Sequence, residues 1–247
     1  MRLTPLLPAL IATGLLAAGA HAGEAVPEPF KATYAVRYRG IGAGTLTFEL
    51  KRDPASGHYV YESRPNPSAL ARLFISRAAV ERSVLEIGPD GVRPLEWHLE
   101  DGKSGQAKDG WLEFDWDAGR VSGEVEGERV ELPTEPGLQD RSSIQIEVTT
   151  ALLRGEEPGV IPLIDDERIK RYTYTRKENA VLDSKLGKLD AVIYESSREG
   201  SSRLSRFWMV PSLGHIPARA EQIRKGKVET VMELVELERA SEGAQSR

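Results

Sequence analysis

Residues 30–38, FKATYAVRY, alternate apolar and polar side chains with a period of two. Successive side chains of a β-strand point to opposite faces, so this run predicts a strand with one buried face and one wet face. After a glycine-rich break, residues 45–51 repeat the pattern. Further alternating runs cover residues 59–61, 95–100, 112–116, 168–177, 189–196, 204–210, 217–224 and 228–237. A single wet face is typical of antiparallel sheets, and the turn residues between the runs predict successive hairpins.

Two segments break this alternation. Asp140 can cap a helix that runs to Arg154, in which Ile144, Val148 and Leu152 recur every four residues and form an apolar stripe. A shorter helix is predicted over residues 69–74, because residues 66–68 read Asn-Pro-Ser and place a proline at its start. The last run, residues 228–237, would also suit a helix, but its valines and the preceding glycine turn favour a strand.

These patterns predict a mainly β (α+β) fold. We expect a curved antiparallel sheet, either a half-barrel or an open barrel of about 10–13 strands, with one central amphipathic helix and one short helix.

The N-terminal 22 residues have the features of an export signal. Arg2 is their only charged residue, residues 6–18 are apolar, and Ala20-His21-Ala22 forms a small-x-small cleavage site. The apolar run is too short to span a bilayer. The sequence therefore predicts a signal peptide over residues 1–22, a single β-rich domain over residues 23–238, a disordered tail over residues 239–247 and a periplasmic location without an integral membrane span.

We expect N-terminal sequencing of the exported protein to begin at Gly23, because cleavage is predicted after Ala22. The protein should also be released freely from the periplasm. An N terminus at Met1, or membrane association that persists after a salt wash, would contradict this prediction.

Composition excludes several classes of function. The chain has no cysteine, which rules out disulfides, thiolate metal sites and cysteine catalysis. A net charge of −5 with mixed signs argues against nucleic acid or an anionic lipid surface as partner. His58, His98 and His215 are too far apart in sequence for metal-ligand spacing. The glycines of residues 40–44 precede another strand, which indicates a hairpin turn rather than a phosphate loop. No catalytic residue, metal or cofactor is predicted.

Large apolar side chains share one face of the early strands. Since only one central helix and one short helix are predicted to cover this face, the sheet should either close on itself or keep an apolar groove. Helix residues would cover this groove, and the short helix would form its rim or lid. Asp140 is expected to be a structural cap. The candidate groove residues are Tyr34, Tyr38, Phe48, Leu70, Leu73, Phe74, Trp97, Phe114, Trp116, Ile144 and Val148.

Several strand and turn signatures occur in a recognisable order. They are residues 34–44 (YAVRYRGIGAG), 139–143 (QDRSS), 184–191 (SKLGKLDA), 206–211 (RFWMVP) and 215–221 (HIPARAE). Over about residues 30–237 this order resembles an exported bacterial family, domain of unknown function 3108. The resemblance implies an exported location and this architecture, but no reaction. By architectural analogy alone, the arrangement is also similar to the half-barrels of periplasmic lipoprotein carriers.

Three hypotheses follow. The first is a non-enzymatic envelope protein that binds a hydrophobic ligand, a lipid or an acylated partner, and a large apolar cavity would favour it. The second is an interaction scaffold without a small-molecule ligand, which a filled core with long exposed sheet edges would favour. The third is a hydrolase whose residues converge only in the fold, which a polar cleft joining a histidine to a carboxylate or serine would favour.

Overall fold

The computed structural model describes residues 25–103, 108–165 and 167–239. Within them, one fourteen-stranded antiparallel sheet is accompanied by a single α-helix and two 3₁₀ turns. This confirms the predicted mainly β fold with an open sheet, although fourteen strands exceed the expected number. The predicted signal peptide lies outside the described residues. Of the predicted tail, Arg239 is the last residue of the final strand, and residues 240–247 lie outside the described residues.

The elements follow in chain order. The strands are β1 (Phe30–Tyr38), β2 (Ile41–Arg52), β3 (Tyr59–Pro67), β4 (Val80–Gly88), β5 (Gly91–Glu100), β6 (Gly110–Asp115), β7 (Arg120–Val125), β8 (Glu128–Pro133), β9 (Val160–Asp165), β10 (Arg168–Ser184), β11 (Gly187–Ser197), β12 (Arg203–Val210), β13 (Ile216–Arg224) and β14 (Lys227–Arg239). The helix α1 is Ser143–Leu153, and the 3₁₀ turns are Ala71–Leu73 and Pro211–Leu213.

The sheet is a meander with one long-range closure. Each strand pairs with its chain neighbours, except that β1 also pairs with β14 and that β8 and β9 form the two edges. The segment between these edges makes a short parallel bridge to β9 through Gln139. The backbone N–H of Gln139 donates to Pro162 O at 2.9 Å, and the backbone carbonyl of Gln139 accepts from Ile164 N at 2.9 Å. The two edges are therefore brought close without pairing directly.

Three clusters form the core. The first packs Phe30, Tyr34, Phe48, Leu50, Leu85 and Leu234 with Ile146 of α1. The second joins strands near one edge to Ile164 on the other, and comprises Trp97, Leu112, Phe114, Val121, Val125, Val130, Leu138 and Ile164. The third packs the predicted helix stripe, Ile144, Val148 and Leu152, against Ile161, Leu163, Tyr194 and Met209.

The central helix is present, but it is buried on more than the predicted stripe. Its first helical residue is Ser143 rather than a residue next to Asp140. Ile146, outside the stripe, is 1% exposed in the first cluster, while the stripe itself packs in the third. The sheet therefore contacts the helix from two sides.

The predicted short helix over residues 69–74 is wrong in extent. Only the three-residue 3₁₀ turn Ala71–Leu73 forms, and Pro67 ends β3 instead of starting a helix. None of the residues of this turn is buried. Nucleation of so short a helix is unfavourable unless its side chains pack against the rest of the protein, and the side chains of this turn do not.

The helix covers only part of the inner face of the sheet. Arg154, just after α1, donates to the carbonyls of Gly88 and Pro89 at 2.8 and 2.9 Å, so α1 ends at the β4–β5 turn. We call this the helix end of the sheet. The opposite end, which carries the β1–β2, β3–β4 and β13–β14 connections, is the loop end. The helix is about 16 Å long and β2 about 40 Å, so the inner face towards the loop end lacks helical cover.

Candidate functional site

An apolar cavity of about 220 Å³ lies between α1 and the inner face of the sheet. It is lined by residues of β1, β2, β3, α1, β10, β12, β13 and β14, so both halves of the meander contribute to its wall. Among the apolar lining residues are Phe30, Phe48, Ile144, Val148, Phe207, Met209, Ile216 and Met232.

Neighbouring strands build an aromatic wall on one side of the cavity. The rings of Tyr34 and Phe48 meet edge-on at 5.7 Å between centroids, and those of Phe48 and Tyr61 stack at 5.8 Å. The period-two alternation of β1, β2 and β3 brings these three rings to the same face. Such aromatic pairs add stability beyond the burial of their area, which favours a preformed wall.

The two phenol groups of this wall are bonded within the protein. Tyr34 Oη donates to Pro217 O at 2.9 Å, and Tyr61 Oη donates to Gln145 Oε1 at 3.0 Å. Burial raises the pKa of both phenols above the ordinary value, so both stay protonated as donors. The wall therefore presents ring surface rather than polar groups to the cavity.

One carboxylate, Glu221, lies among the described lining residues. Its oxygens face Arg219 at 2.7 Å and Arg206 at 3.9 Å, and the residue is 8% exposed. A buried charge is tolerated when it is paired, so Glu221 can form part of the cavity wall without leaving an unpaired charge in the cavity.

Three polar lining residues, Ser205, Gln222 and Thr230, lie at the mouth of the cavity. Ser205 pairs with Gln222, Gln222 pairs with Thr230, and Thr230 pairs with Tyr38, so one row crosses β12, β13, β14 and β1. This row lies next to the β1–β2 and β13–β14 turns, and Gln222 is exposed. The cavity therefore has an apolar base beneath α1 and a polar mouth towards the loop end.

The structure brings together four of the predicted groove residues, Tyr34, Phe48, Ile144 and Val148, which line the cavity. Tyr38 lies at the rim, next to Thr230 in register. The other candidates lie elsewhere: Trp97 and Phe114 belong to the second cluster, Trp116 packs against it, and Leu70, Leu73 and Phe74 are on the exterior.

Sequence reasoning missed several lining residues, including Phe30, Tyr61, Tyr174, Phe207, Met209 and Met232. All of them lie in strands that the alternation had predicted, and Phe30 was even assigned to the correct face, but none was assigned to the groove. The alternation in β12, where Phe207 and Met209 share a face, was the available signal.

The predicted cap Asp140 makes the contacts of a cap and more. Its Oδ1 accepts from the backbone N–H groups of Ser142 and Ser143 at 2.7 and 2.8 Å. Its Oδ2 accepts from Ser83 Oγ at 2.6 Å, which ties the helix start to β4. Burial raises the pKa of Asp140 to about 6, against the lowering effect of these hydrogen bonds.

A separate polar cleft of about 610 Å³ contains a histidine beside a carboxylate. His58 Nε2 lies 3.2 Å from Glu86 Oε1, while the hydroxyl of Ser56 in the same cleft donates to Asp53 Oδ2 at 2.7 Å. The serine hydroxyl thus donates to an aspartate, and it accepts from the backbone N–H of His58 at 3.2 Å rather than contacting the imidazole that would activate it. In the part of the chain that the structure describes, no three His, Cys, Asp or Glu side chains gather as metal ligands.

Comparison with known proteins gives one match to a family. The model of the family described as "Protein of unknown function (DUF3108)" matches residues 33–234. No curated protein matches the chain.

Solved structures with a similar outline are distant in sequence. A Bacteroides fragilis protein described as exported, with a YmcC-like fold, is 8% identical with a TM-score of 0.40, over 87% of this chain and 97% of that one. A Parabacteroides distasonis protein described as a lipoprotein is 10% identical with a TM-score of 0.35, over 86% of this chain and 96% of that one. The Pseudomonas aeruginosa MucA/MucB complex is 9% identical with a TM-score of 0.38 over 88% of this chain. The match spans only 54% of that chain's length.

Proposed function

Because the chain belongs to the DUF3108 family of proteins of unknown function, we propose its function from its own geometry. It is an exported, non-enzymatic envelope protein that holds an alkyl chain of a lipid or an acylated partner in the cavity under α1. The observation that carries this proposal is the apolar cavity, whose base joins both halves of the sheet and whose mouth is polar.

The volume of the cavity fits an alkyl segment. An apolar cavity of about 150 Å³ is enough to bind benzene, whereas pockets for drug-sized ligands start at about 300 Å³. The 220 Å³ here lies between these values. Each methylene buried in it contributes about 0.8 kcal/mol before ordering costs. The polar mouth would leave a carboxylate or headgroup in water.

The export signal predicted over residues 1–22 supports a location in the envelope. Among residues 25–103, 108–165 and 167–239, no helix has the length and apolar character needed to cross a bilayer.

The two alternative hypotheses have less support. A scaffold that uses sheet edges would present a long edge strand. The edge strands β8 and β9 have only six residues each, and Gln139 bridges to Leu163 of β9. The one longer edge of the described sheet is on β10, because β9 pairs only with its first residues, Arg168–Thr173. The polar cleft holds a histidine beside a carboxylate, as a hydrolase would need. However, the hydroxyl of Ser56 donates to Asp53 and contacts only the backbone of His58, not its imidazole.

Filling the cavity tests the proposal. Ala220 lines the cavity and is buried, so Ala220→Leu places three more carbon atoms in it. We expect the wild-type protein to bind a dansyl-labelled fatty acid saturably and Ala220→Leu to bind at least about tenfold more weakly, as measured by fluorescence titration. Ala35→Leu is the matched control, because Ala35 follows buried Tyr34 in β1 and faces the other side of the sheet.

Circular dichroism melting separates ligand loss from unfolding, since overpacking alone costs about 1–3 kcal/mol. Absence of saturable binding to the wild-type protein would refute the proposal. So would equal affinity of a folded Ala220→Leu variant.

A further inference from the structure

Four large apolar side chains are exposed together in the β3–β4 connection. Leu73 and Phe74 are 72% and 73% exposed, and Leu70 and Ile75 are exposed beside them. Single exposed apolar residues are ordinary on a protein surface, but a contiguous group marks an interaction site. We call Leu70, Leu73, Phe74 and Ile75 the apolar tip.

The apolar tip is held outward by an ordered backbone. Ser76 Oγ donates to Gly102 O at 3.0 Å, and Lys103 Nζ donates to Phe74 O at 2.9 Å. A Cβ atom at Gly102 would come within 2.7 Å of the backbone of Ala78, so the two connections pack closely. Ser68 N also donates to Ala43 O at 2.8 Å, which attaches the connection to β2. The exposure of the tip is thus built into the fold.

Positive charge lies beside the apolar tip. Residues 63–80 contain three arginines, Arg64, Arg72 and Arg77, and no aspartate or glutamate, although Arg64 is paired with Glu62 at 2.6 Å. This local excess contrasts with the chain's net charge of −5, which by itself disfavours an anionic lipid surface as partner.

A second basic group lies at the same end of the sheet. Arg203 pairs with Arg224, and Arg224 pairs with Lys227, at the ends of β12, β13 and β14. Glu229 lies among these cations: a hydrogen bond from Arg39, together with the charges of Arg39, Arg224 and Arg203, lowers its pKa. Basic groups therefore lie at the loop end beyond the apolar tip as well.

We propose that the loop end docks on an anionic lipid bilayer, with the apolar tip inserted into the headgroup–acyl boundary and the surrounding arginines and lysines against lipid phosphates. Apolar insertion and attraction to anionic lipid are the two contributions by which peripheral proteins bind membranes. The docking surface does not depend on a ligand in the cavity. If both proposals hold, the cavity mouth at Thr230 faces the bilayer from which an alkyl chain would come.

Vesicle flotation tests this docking surface. We expect the wild-type protein, with its mature N terminus confirmed, to float with vesicles of phosphatidylcholine and phosphatidylglycerol, and to float less as salt rises. Leu73→Ser/Phe74→Ser should reduce partitioning at least about tenfold. The matched control is Val181→Ser/Leu186→Ser, which removes two exposed apolar side chains at the helix end and should bind as wild type.

A second pair of substitutions tests the charge contribution. Lys225 lies in the β13–β14 turn between Arg224 and Lys227, and Lys225→Gln/Lys227→Gln should weaken flotation on phosphatidylglycerol vesicles but not change it on phosphatidylcholine alone. Equal flotation of the wild-type and Leu73→Ser/Phe74→Ser proteins would overturn the proposal. Absence of wild-type flotation would overturn it too, and would make a protein the better candidate for the occupant of this surface.

Discussion

Val121→Asp is expected to destabilise the protein by at least about 3 kcal/mol, because it would place an unpaired carboxylate in a dry cluster. Val121 is 0% exposed in β7 and belongs to the second core cluster. The free energy of unfolding, from urea denaturation followed by circular dichroism, measures the effect. Val181→Asp is the matched control, since it makes the same change in a strand where the valine is 66% exposed, and it should cost less than about 1 kcal/mol.

The size of this effect reports how the open sheet is held. The second cluster places Val121 of β7 and Trp97 of β5 together with Ile164 of β9, which lies at the opposite edge. Because β8 and β9 do not pair, side-chain packing and the bridge at Gln139 hold the edges near each other. If Val121→Asp lowered the free energy of unfolding no more than Val181→Asp does, this cluster would not contribute to holding the two edges near each other.

Much of the fold could be predicted from alternation alone. Residues 30–38 placed Phe30 and Tyr34 on the buried face, and the structure has both there. The long helix was predictable from several signals together, namely the capping residue Asp140, the four-residue apolar repeat, and Gly155 and Pro158 beyond its end. Alternation is a local property of the backbone, so it survives without knowledge of the partners.

Other strands gave a weaker signal. Four of them, β4, β7, β8 and β9, were not predicted. In β9, Ile161 to Ile164 are all buried, so no alternation exists to be read. This happens because β9 lies between the bridge at Gln139 on one side and β10 on the other, with α1 packed against it.

The candidate site was predictable only in part, because alternation identifies a face but not a position along the sheet. Tyr34 and Trp97 follow the same pattern, yet Tyr34 lines the cavity and Trp97 is packed under Arg141 in the second cluster. What separates them is their strand: Tyr34 of β1 lies in the wall that faces α1, whereas Trp97 of β5 packs with Leu112 and Leu138. The position of α1 over the sheet depends on tertiary contacts without a sequence pattern, such as those of Arg154 with the carbonyls of Gly88 and Pro89.

The second large effect concerns Asp140, whose replacement by alanine is expected to cost about 3 kcal/mol rather than the roughly 1 kcal/mol of an exposed cap. The difference arises because Asp140 is fully buried. Alanine would leave the N–H groups of Ser142 and Ser143 and the hydroxyl of Ser83 without this acceptor. Urea denaturation at about pH 4, where the buried carboxyl is protonated in the folded protein, measures the loss. A cost near 1 kcal/mol would mean that water or neighbouring groups replace the carboxylate.

Asp140→Asn separates the hydrogen bonds of this residue from its charge. Burial raises the pKa of Asp140 to about 6, above the value near 4 in the unfolded chain. Between these two pH values the folded protein holds a proton that the unfolded chain has released, so this group's stabilisation is full below about pH 4 and is lost as pH rises to about 6. The expected loss is about 3 kcal/mol. Asparagine keeps an acceptor for the two N–H groups and cannot ionise, so the stability of wild type relative to Asp140→Asn should fall by that amount across the window and stay constant above it. A constant difference from pH 4 to 7 would show that Asp140 is already ionised at the lower pH, and that its three hydrogen bonds outweigh its burial.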